Sequence, residues 1–220
     1  GEAGVALRAD GTLVGWGTDY QNSAPENVPA GTDFSVVTAA GFSELLAIRN
    51  DGSLVAWSGT GGATFPHGLG DHLPTGSFVD IAAGVHHAVA VRDDGKLTSW
   101  RYDGTSMSVP ALTDVVKVAC PDGATTFRAL ALRTDGSLVG WHEDGEIANM
   151  FSGMNYVDMA IGRNHAVALK GDGTLDFWGT DPGTAPTGSD FVAIDVAEET
   201  SIAVRADGTY EVWGNNLPTG

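Results

Sequence analysis

Several common features are scarce in this chain, and each scarcity argues against a class of function. The 220 residues include one cysteine, Cys120, so no internal disulfide can form. Eleven Lys and Arg residues stand against 28 Asp and Glu, and the resulting net charge of −17 repels the phosphate backbone of nucleic acids. No apolar run approaches the roughly 20 residues that a membrane-spanning helix needs. We therefore expect neither a nucleic-acid partner nor a membrane span.

Sequence motifs of catalysis are also missing. The chain contains no Walker loop, no dinucleotide-binding glycine motif and no nucleophile elbow. His67 and His72 lie in a glycine-rich connection, but their spacing matches no established metal motif. With 28 acidic residues in the chain, carboxylates close together in sequence are expected by chance. We predict a protein that is not an enzyme and that has no cofactor and no resident metal.

A short phrase that occurs six times is the main feature of the sequence. Each copy has an apolar segment, then Arg or Lys, an Asp-Gly pair and a second segment that ends in tryptophan. The six tryptophans are Trp16, Trp57, Trp100, Trp141, Trp178 and Trp213. The turn aspartates follow one another at steps of 41, 43, 41, 37 and 35 residues. A period of roughly 35–45 residues built from strands and turns indicates the blades of a β-propeller.

The Asp-Gly pair predicts how the two strands of each hairpin face each other. As a two-residue turn it places Ala6 opposite Gly15 and Val5 opposite Trp16. The alanines then lie on one face of each hairpin, and the tryptophans lie with aliphatic residues on the other. Because both faces are apolar, each sheet needs a cover on both sides. We predict blades stacked so that each tryptophan packs against the alanine-lined face of the next.

Further segments complete the predicted blade. A third apolar strand (A) comes before the hairpin strands (B and C) in five repeats, at 34–38, 78–82, 115–119, 156–160 and 191–195. A looser stretch with proline follows as an outer strand D, near Pro29, Pro74, Pro110 and Pro186. We predict an all-β chain: a β-propeller of four-stranded antiparallel blades in one domain, 1–220, with six blades or an incomplete seven. Since the first hairpin lacks strand A, we expect a longer protein or a neighbouring chain to fill that position.

These repeats resemble those of the regulator-of-chromosome-condensation type, especially bacterial ones. Residues 84–100 carry the pattern as GVHHAVAVRDDGKLTSW, and residues 162–173 repeat it as GRNHAVALKGDG. Members of this family engage chromatin, exchange nucleotide on a small GTPase or, in a bacterial case, inhibit β-lactamases. The resemblance implies a propeller that binds other macromolecules. The acidic charge argues against the chromatin role, and the absence of a long insertion argues against nucleotide exchange.

In a blade of this topology the A–B and C–D loops lie at the same end, where we place the binding site. The B–C turns repeat nearly the same sequence, which indicates a structural role for their end of the blades. The A–B and C–D loops vary in sequence and contain aromatic, Arg and His residues typical of binding hot spots. The candidate partner-binding residues are Tyr20, Phe42, Glu44, His86, His87, Arg101, Tyr102, Phe127, Arg128, His142, Arg163 and His165. For the histidines a structural hydrogen bond is the alternative reading. For the repeated Arg or Lys, we expect a stem that covers the leucine across the hairpin.

From these features we predict a non-catalytic binding module that recognises a protein or another macromolecule through one rim. The partner is a separate protein or a neighbouring subunit. The alternatives are a structural or adhesive module of a surface protein, fibre or filament, a secreted enzyme inhibitor, and a carbohydrate-binding lectin. Because a large net charge maintains solubility, the acidic composition favours an extracellular or cell-surface location. The resemblance to bacterial members of the repeat family implies a bacterial source.

Overall fold

The fold is almost entirely β-strand. A computed structural model describes residues 3–17, 28–40, 44–58, 68–121, 128–147, 150–180, 184–197 and 199–214. Over these ranges the chain forms eighteen strands and one short 3₁₀ helix, Leu69–His72. None of the helical segments in the described ranges has the length and apolar character needed to cross a membrane. The predicted all-β class is confirmed.

The strands form six antiparallel sheets, which follow one another in chain order. Sheet 1 contains β1 (Ala3–Leu7) and β2 (Leu13–Gly17), and sheet 2 contains β3 (Phe34–Ala40), β4 (Glu44–Arg49) and β5 (Leu54–Ser58). Sheet 3 contains β6 (Phe78–Ala83), β7 (His87–Arg92) and β8 (Leu97–Arg101). Sheet 4 contains β9 (Val115–Ala119), β10 (Arg128–Arg133), β11 (Leu138–His142) and β12 (Gly145–Glu146). Sheet 5 contains β13 (Tyr156–Ile161), β14 (His165–Lys170) and β15 (Leu175–Gly179), and sheet 6 contains β16 (Phe191–Ala197), β17 (Thr200–Arg205) and β18 (Tyr210–Gly214).

Five of the sheets begin with the strand predicted as A, so these five predictions are confirmed. Within the described residues an outer fourth strand is present in sheet 4 alone, where the short β12 pairs with β11. The prolines predicted to mark strand D, at 29, 74, 110 and 186, all lie outside strands. Proline has no backbone N–H to donate to a neighbouring strand, which agrees with irregular chain at these positions.

The hairpin turns differ from the predicted two-residue turn. In sheet 1 Leu7 lies opposite Leu13, and the Gly11 N–H donates to the Arg8 carbonyl at 2.9 Å. Gly11 has a φ of 79°, and the glycines of the other five turns have similar positive values. The connection is therefore a three-residue loop whose last residue is a left-handed glycine. All six hairpins share this arrangement.

The extra residue moves every tryptophan to the other face, so the predicted separation of tryptophan and alanine is wrong. Trp16 lies opposite Gly4 rather than Val5, and a Cβ on Gly4 would lie 2.5 Å from the Trp16 ring. In the later hairpins Ala88 and Ala129 lie opposite Trp100 and Trp141. Because side chains alternate along a strand, a shift of one residue exchanges the two faces. The small residue leaves room for the indole across the same hairpin.

Each sheet consequently has an alanine–tryptophan side and an aliphatic side. In four pairs of consecutive sheets among the described residues, the alanine–tryptophan side packs on the aliphatic side of the sheet before it. Trp100 and Ala90 of sheet 3 pack with Leu46 and Ile48 of sheet 2. The same packing joins sheet 2 to sheet 1, sheet 5 to sheet 4 and sheet 6 to sheet 5. The central alanines of sheets 2–6 are fully buried, and a larger side chain there would hold two sheets apart.

The hairpin turns also connect consecutive sheets. The carbonyl of the turn glycine accepts the N–H of the first residue in the next strand A, as in Phe78 to Gly52 at 2.9 Å and Tyr156 to Gly136 at 3.0 Å. Five of the six turns make this bond. Within each turn the aspartate accepts hydrogen bonds from the residue two positions later, and this holds the pKa of Asp51 below its ordinary value. The turn end has the structural role that the sequence indicates.

In four repeats the Arg or Lys lies on an aromatic ring rather than on the residue across the hairpin, which corrects the prediction for Arg49, Arg92, Lys170 and Arg205. The guanidinium carbon of Arg49 lies 4.6 Å from the centre of the Phe34 ring, and that of Arg205 lies 4.2 Å from Phe191. Arg49 also forms an ion pair with Asp33 at 2.7 Å. The cation covers the start of strand A in its own sheet, so its role is structural.

The chain divides into two compact units, 1–118 and 119–220, with the boundary inside β9. Sheets 1–3 lie in the first unit, and β10–β12 with sheets 5 and 6 lie in the second. Each unit has the packing described above.

A candidate binding rim

The candidate residues fall into two groups, one in each compact unit. Tyr20, Phe42 and Phe127 lie outside the described residues. The first unit carries Glu44, His86, His87, Arg101 and Tyr102, and the second carries Arg128, His142, Arg163 and His165. We describe each group by itself.

An aromatic pair is the most exposed feature of the first group. The rings of His86 and Tyr102 lie with their centres 5.3 Å apart, and the Tyr102 N–H donates to the His86 carbonyl at 3.2 Å. Both residues are exposed. His87 and Arg101 are cross-strand partners, so the loop before β7 and the loop after β8 lie side by side. This is the adjacency of A–B and C–D loops that the topology predicts.

A second Asp-Gly turn holds Tyr102 in place. Asp103 accepts hydrogen bonds from the N–H and Oγ1 of Thr105 at 3.0 and 2.6 Å, and Gly104 has a φ of 80°. These bonds hold the pKa of Asp103 below its ordinary value. The turn has the geometry of the six hairpin turns but lies at the other end of sheet 3, between β8 and the following segment. This turn was not among those predicted from the sequence, although residues 103–105 carry the same Asp-Gly-Thr motif as residues 10–12.

Glu44 is engaged within the first unit. Its carboxylate accepts the N–H groups of Leu69 and Gly70 at 2.8 and 2.6 Å. Burial raises the pKa of Glu44, and the two amide hydrogen bonds only partly oppose this effect. The Leu69 carbonyl in turn accepts the indole N–H of Trp100 at 3.0 Å. Glu44 thus fixes the 3₁₀ helix beside sheet 3.

His87 and His165 occupy the same position in their repeats, and both are buried. The Nε2 atom of His165 lies 2.8 Å from the Ser201 Oγ, a hydrogen bond between sheets 5 and 6. This geometry agrees with the structural alternative for His165. A partner that approaches these loops meets the exposed neighbours His86 and Asn164 first. The direct role predicted for the two buried histidines stays a prediction.

The second group places the Arg128 side chain beside the backbone of Arg163 in a strongly acidic protein. Arg128 and His142 are cross-strand partners in sheet 4. The Nη1 atom of Arg128 donates to the Arg163 carbonyl at 3.3 Å, and Arg163 is exposed. The Nδ1 atom of His142 accepts the Asp144 N–H at 3.0 Å. Arg128, Arg163 and His142 therefore lie close together at one end of sheets 4 and 5.

The described residues contain no group of three or more His, Cys, Asp or Glu side chains that could hold a metal ion. The functional groups at these loops are exposed aromatic rings, guanidinium groups and backbone amides. Such groups bind other molecules through contact, hydrogen bonds and charge.

Comparison with known proteins identifies the fold. No protein-family model and no curated protein matches the sequence. Human WBSCR16 matches with a TM-score of 0.70 and 18% identity, over 98% of this chain and 74% of that one. The ectodomain of the Physcomitrella patens receptor kinase CR4 matches with a TM-score of 0.71 and 15% identity, over 99% and 61%. Prp20p of Saccharomyces cerevisiae, the yeast RCC1, matches with a TM-score of 0.67 and 16% identity, over 96% and 69%.

The protein is a β-propeller. More narrowly, its fold is the propeller of the RCC1 type, as the repeats of the sequence indicated. The chain spans 61% of the receptor ectodomain and 69% of Prp20p. At identities of 15–18% the structural similarity establishes the fold alone. The function has to be inferred from the surface residues of this chain.

Proposed function

We propose that this propeller is a non-catalytic module that binds a protein partner through the rim formed by its A–B and C–D loops. The observation that carries the proposal is the exposed His86–Tyr102 pair, held at the tip of the Asp103-Gly104 turn. At the opposite end the hairpin turns form hydrogen bonds with the next sheet. The loop rim is the end left available for recognition.

The rigidity of this loop supports a binding role. Tyr102 sits one residue before an aspartate whose side chain closes the turn, and its ring contacts His86. An exposed aromatic side chain that is already ordered loses little conformational freedom when a partner covers it. Tyrosine also provides a large apolar face together with a hydroxyl group, which is why it is enriched in protein interfaces.

The second unit supports the proposal of an acidic partner. Arg128 and Arg163 lie together on a chain with a net charge of −17. We expect them to receive carboxylate groups of the partner, because guanidinium groups bind carboxylates through paired hydrogen bonds. The yeast RCC1 propeller has been examined for binding to Gsp1p and histones and crystallised with Kap60, which places protein binding within the reach of this fold. The extracellular location and bacterial origin stay predictions.

Site-specific photo-crosslinking tests the proposal. A photoreactive amino acid at position 102 is expected to capture a partner from the native host. The same group at position 96 is expected to capture none, because Lys96 is an exposed residue in the hairpin turn at the opposite end of sheet 3. With the identified partner in purified form, Tyr102→Ala and Arg163→Ala are expected to weaken binding at least about tenfold. Lys96→Ala serves as the matched control and should bind like the wild type.

Two outcomes contradict the proposal. Equal crosslinking at positions 96 and 102 would show that the loop rim has no preference. Unchanged affinity of Tyr102→Ala and Arg163→Ala would show that the partner binds elsewhere. A glycan array separates the lectin alternative, since binding to immobilised sugars that Tyr102→Ala abolishes would identify a carbohydrate ligand instead of a protein.

A further inference from the structure

The carboxylate of Glu44 lies in a space that the backbone keeps clear of other side chains. Its two oxygen atoms accept the N–H groups of Leu69 and Gly70, one each, at 2.8 and 2.6 Å. A Cβ on Gly68 or Gly70 would lie 2.9 or 2.7 Å from the Glu44 Oε1 atom. Because such contacts are too short for a side chain, glycine at both positions lets the backbone close around the carboxylate.

The 3₁₀ helix held by this carboxylate also contacts the segment that carries Tyr102. At the start of the helix, the Leu69 carbonyl accepts the indole N–H of Trp100 at 3.0 Å. At its end, the His72 ring lies against the next turn, since a Cβ on Gly104 would lie 2.8 Å from the His72 Nδ1 atom. The helix therefore supports this segment on both sides of Tyr102.

We propose that Glu44 positions the Tyr102 turn for partner binding. The ionised carboxylate fixes the 3₁₀ helix, and the helix holds the segment around Tyr102 so that a partner meets the His86–Tyr102 pair in one arrangement. All of these residues lie in the first unit. This role rests on the binding function proposed above, and in it Glu44 acts through the helix rather than by touching the partner.

The contact depends on the charge of Glu44. A carboxylate has an acceptor oxygen for each of the two N–H groups, whereas a protonated carboxyl group turns one of these oxygens into a hydroxyl group, which is a much poorer acceptor. Burial raises the pKa of Glu44, so the proton binds at a less acidic pH than it would on an exposed glutamate. Partner binding should therefore weaken as the pH falls through this raised pKa.

Other ionisable groups lie at the same end of the neighbouring elements. Among the described residues, the 3₁₀ helix and sheet 3 carry there Asp71, His72, His86, His87, Arg101 and Asp103. Repulsion by Asp71 raises the pKa of Glu44 further. The cross-strand partners of Glu44 in β3 and β5 are Ala40 and Ser58, which carry no charge. A pH effect that comes from another group would persist when Glu44 is replaced.

An NMR titration tests the positioning without a partner. In the isotope-labelled wild type, the indole N–H of Trp100 and the backbone N–H of Tyr102 should shift together as the pH falls, with one midpoint above the ordinary glutamate range. Hydrogen bonds from Thr105 lower the pKa of Asp103, so its own transition comes at a more acidic pH. Midpoints that differ between the Trp100 and Tyr102 signals overturn the proposal, and this result needs no variant.

Glu44→Gln keeps the shape of the side chain but has a single acceptor oxygen. At neutral pH its Trp100 and Tyr102 signals should lie near the acidic positions of the wild type, and the shared transition should be absent. A Tyr102 transition that persists unchanged in Glu44→Gln would show that another group controls the turn, which overturns the proposal. Near-ultraviolet circular dichroism should show that the variant is folded.

Binding of the partner identified by crosslinking is the second measurement. At about pH 7.5, Glu44→Gln should bind at least about fivefold more weakly than the wild type. The wild type should lose affinity to a similar extent as the pH falls, while Glu44→Gln changes little. Asp93→Asn is the matched control, because it removes one negative charge from an exposed position in the hairpin turn at the opposite end of sheet 3. It should follow the wild type at every pH.

A second variant disturbs the same contact from the other side. Gly70→Ala adds a methyl group that would meet both the Glu44 carboxylate and the Ala56 side chain, so it should weaken binding as Glu44→Gln does. If Tyr102→Ala weakens binding but Glu44→Gln binds like the wild type at every pH, the proposed function stands and the role of Glu44 is overturned. Unchanged affinity of Tyr102→Ala overturns both.

Discussion

Truncation of two tryptophans at the same repeat position should have very different effects on stability. Trp100 is 3% exposed, packs with Leu46 and Ile48, and donates its indole N–H to the Leu69 carbonyl. Trp16 is 54% exposed and rests on Gly4 of its own hairpin. The sequence motif is the same in both cases, so the difference isolates the contribution of packing between sheets.

The expected magnitudes follow from these environments. Trp100→Ala should lower the free energy of unfolding by about 3–5 kcal/mol, the usual cost of deleting a buried aromatic side chain. Trp100→Phe keeps most of the apolar volume but leaves the Leu69 carbonyl without its indole donor, so we expect a loss of about 1–3 kcal/mol. Trp16→Ala should cost less than about 1.5 kcal/mol, because roughly half of that side chain is already in water.

Urea denaturation followed by circular dichroism measures these differences. It should be done at a protein concentration low enough that copies do not associate, since association would add to the apparent stability of the wild type. The slope against urea must also be compared, because the chain contains two compact units that could unfold separately. Equal losses for Trp16→Ala and Trp100→Ala would refute the reasoning that the indoles stabilise the fold by packing against the preceding sheet.

Three further predictions concern the turns and one tyrosine. Gly95→Ala should destabilise more than Gly208→Ala in thermal unfolding, because both strain a positive φ but only the Gly95 Cβ would meet a carbonyl oxygen. The turn aspartates have lowered pKa values, so their stabilisation is present above the unfolded-state pKa and is lost as the pH falls through the folded-state pKa. Asp51→Asn should therefore flatten the acid side of a plot of stability against pH. Burial and the Asp176 hydrogen bond raise the pKa of Tyr156 to about 12, so Tyr156→Phe should remove the latest tyrosine transition in an ultraviolet pH titration.

The sequence predicted the repeating unit well, because turn chemistry and apolar alternation are local signals. The Asp-Gly pairs located all six hairpins, and five runs such as 78–82 and 156–160 became the first strands of their sheets. The register failed by one residue because an Asp-Gly pair also fits the last two positions of a three-residue loop. The residue two positions after each aspartate was the missed signal, since Thr, Ser or Lys there donates back to the aspartate.

The rim was harder to predict than the fold. The predicted topology put the A–B and C–D loops on one face, and in the structure cross-strand pairing brings His86 beside Tyr102. The sequence could not show that His165 would reach Ser201 or that Glu44 would bind two backbone amides. These contacts join segments 36 and 25 residues apart, and their existence depends on how neighbouring sheets pack. Propensity and spacing carry no information about such contacts.

The hydrogen bond from each new strand A to the preceding turn glycine makes every repeat dependent on its immediate neighbour. Stability in such a row is approximately the sum of terms for single repeats and for adjacent pairs. Amide exchange should therefore be slowest in β4, β7, β10 and β14, whose residues are the most buried. When evolution adds or removes one whole repeat, the contacts between the other adjacent repeats are unchanged. A protein of this architecture can therefore change its number of repeats while the remaining contacts between neighbours stay the same.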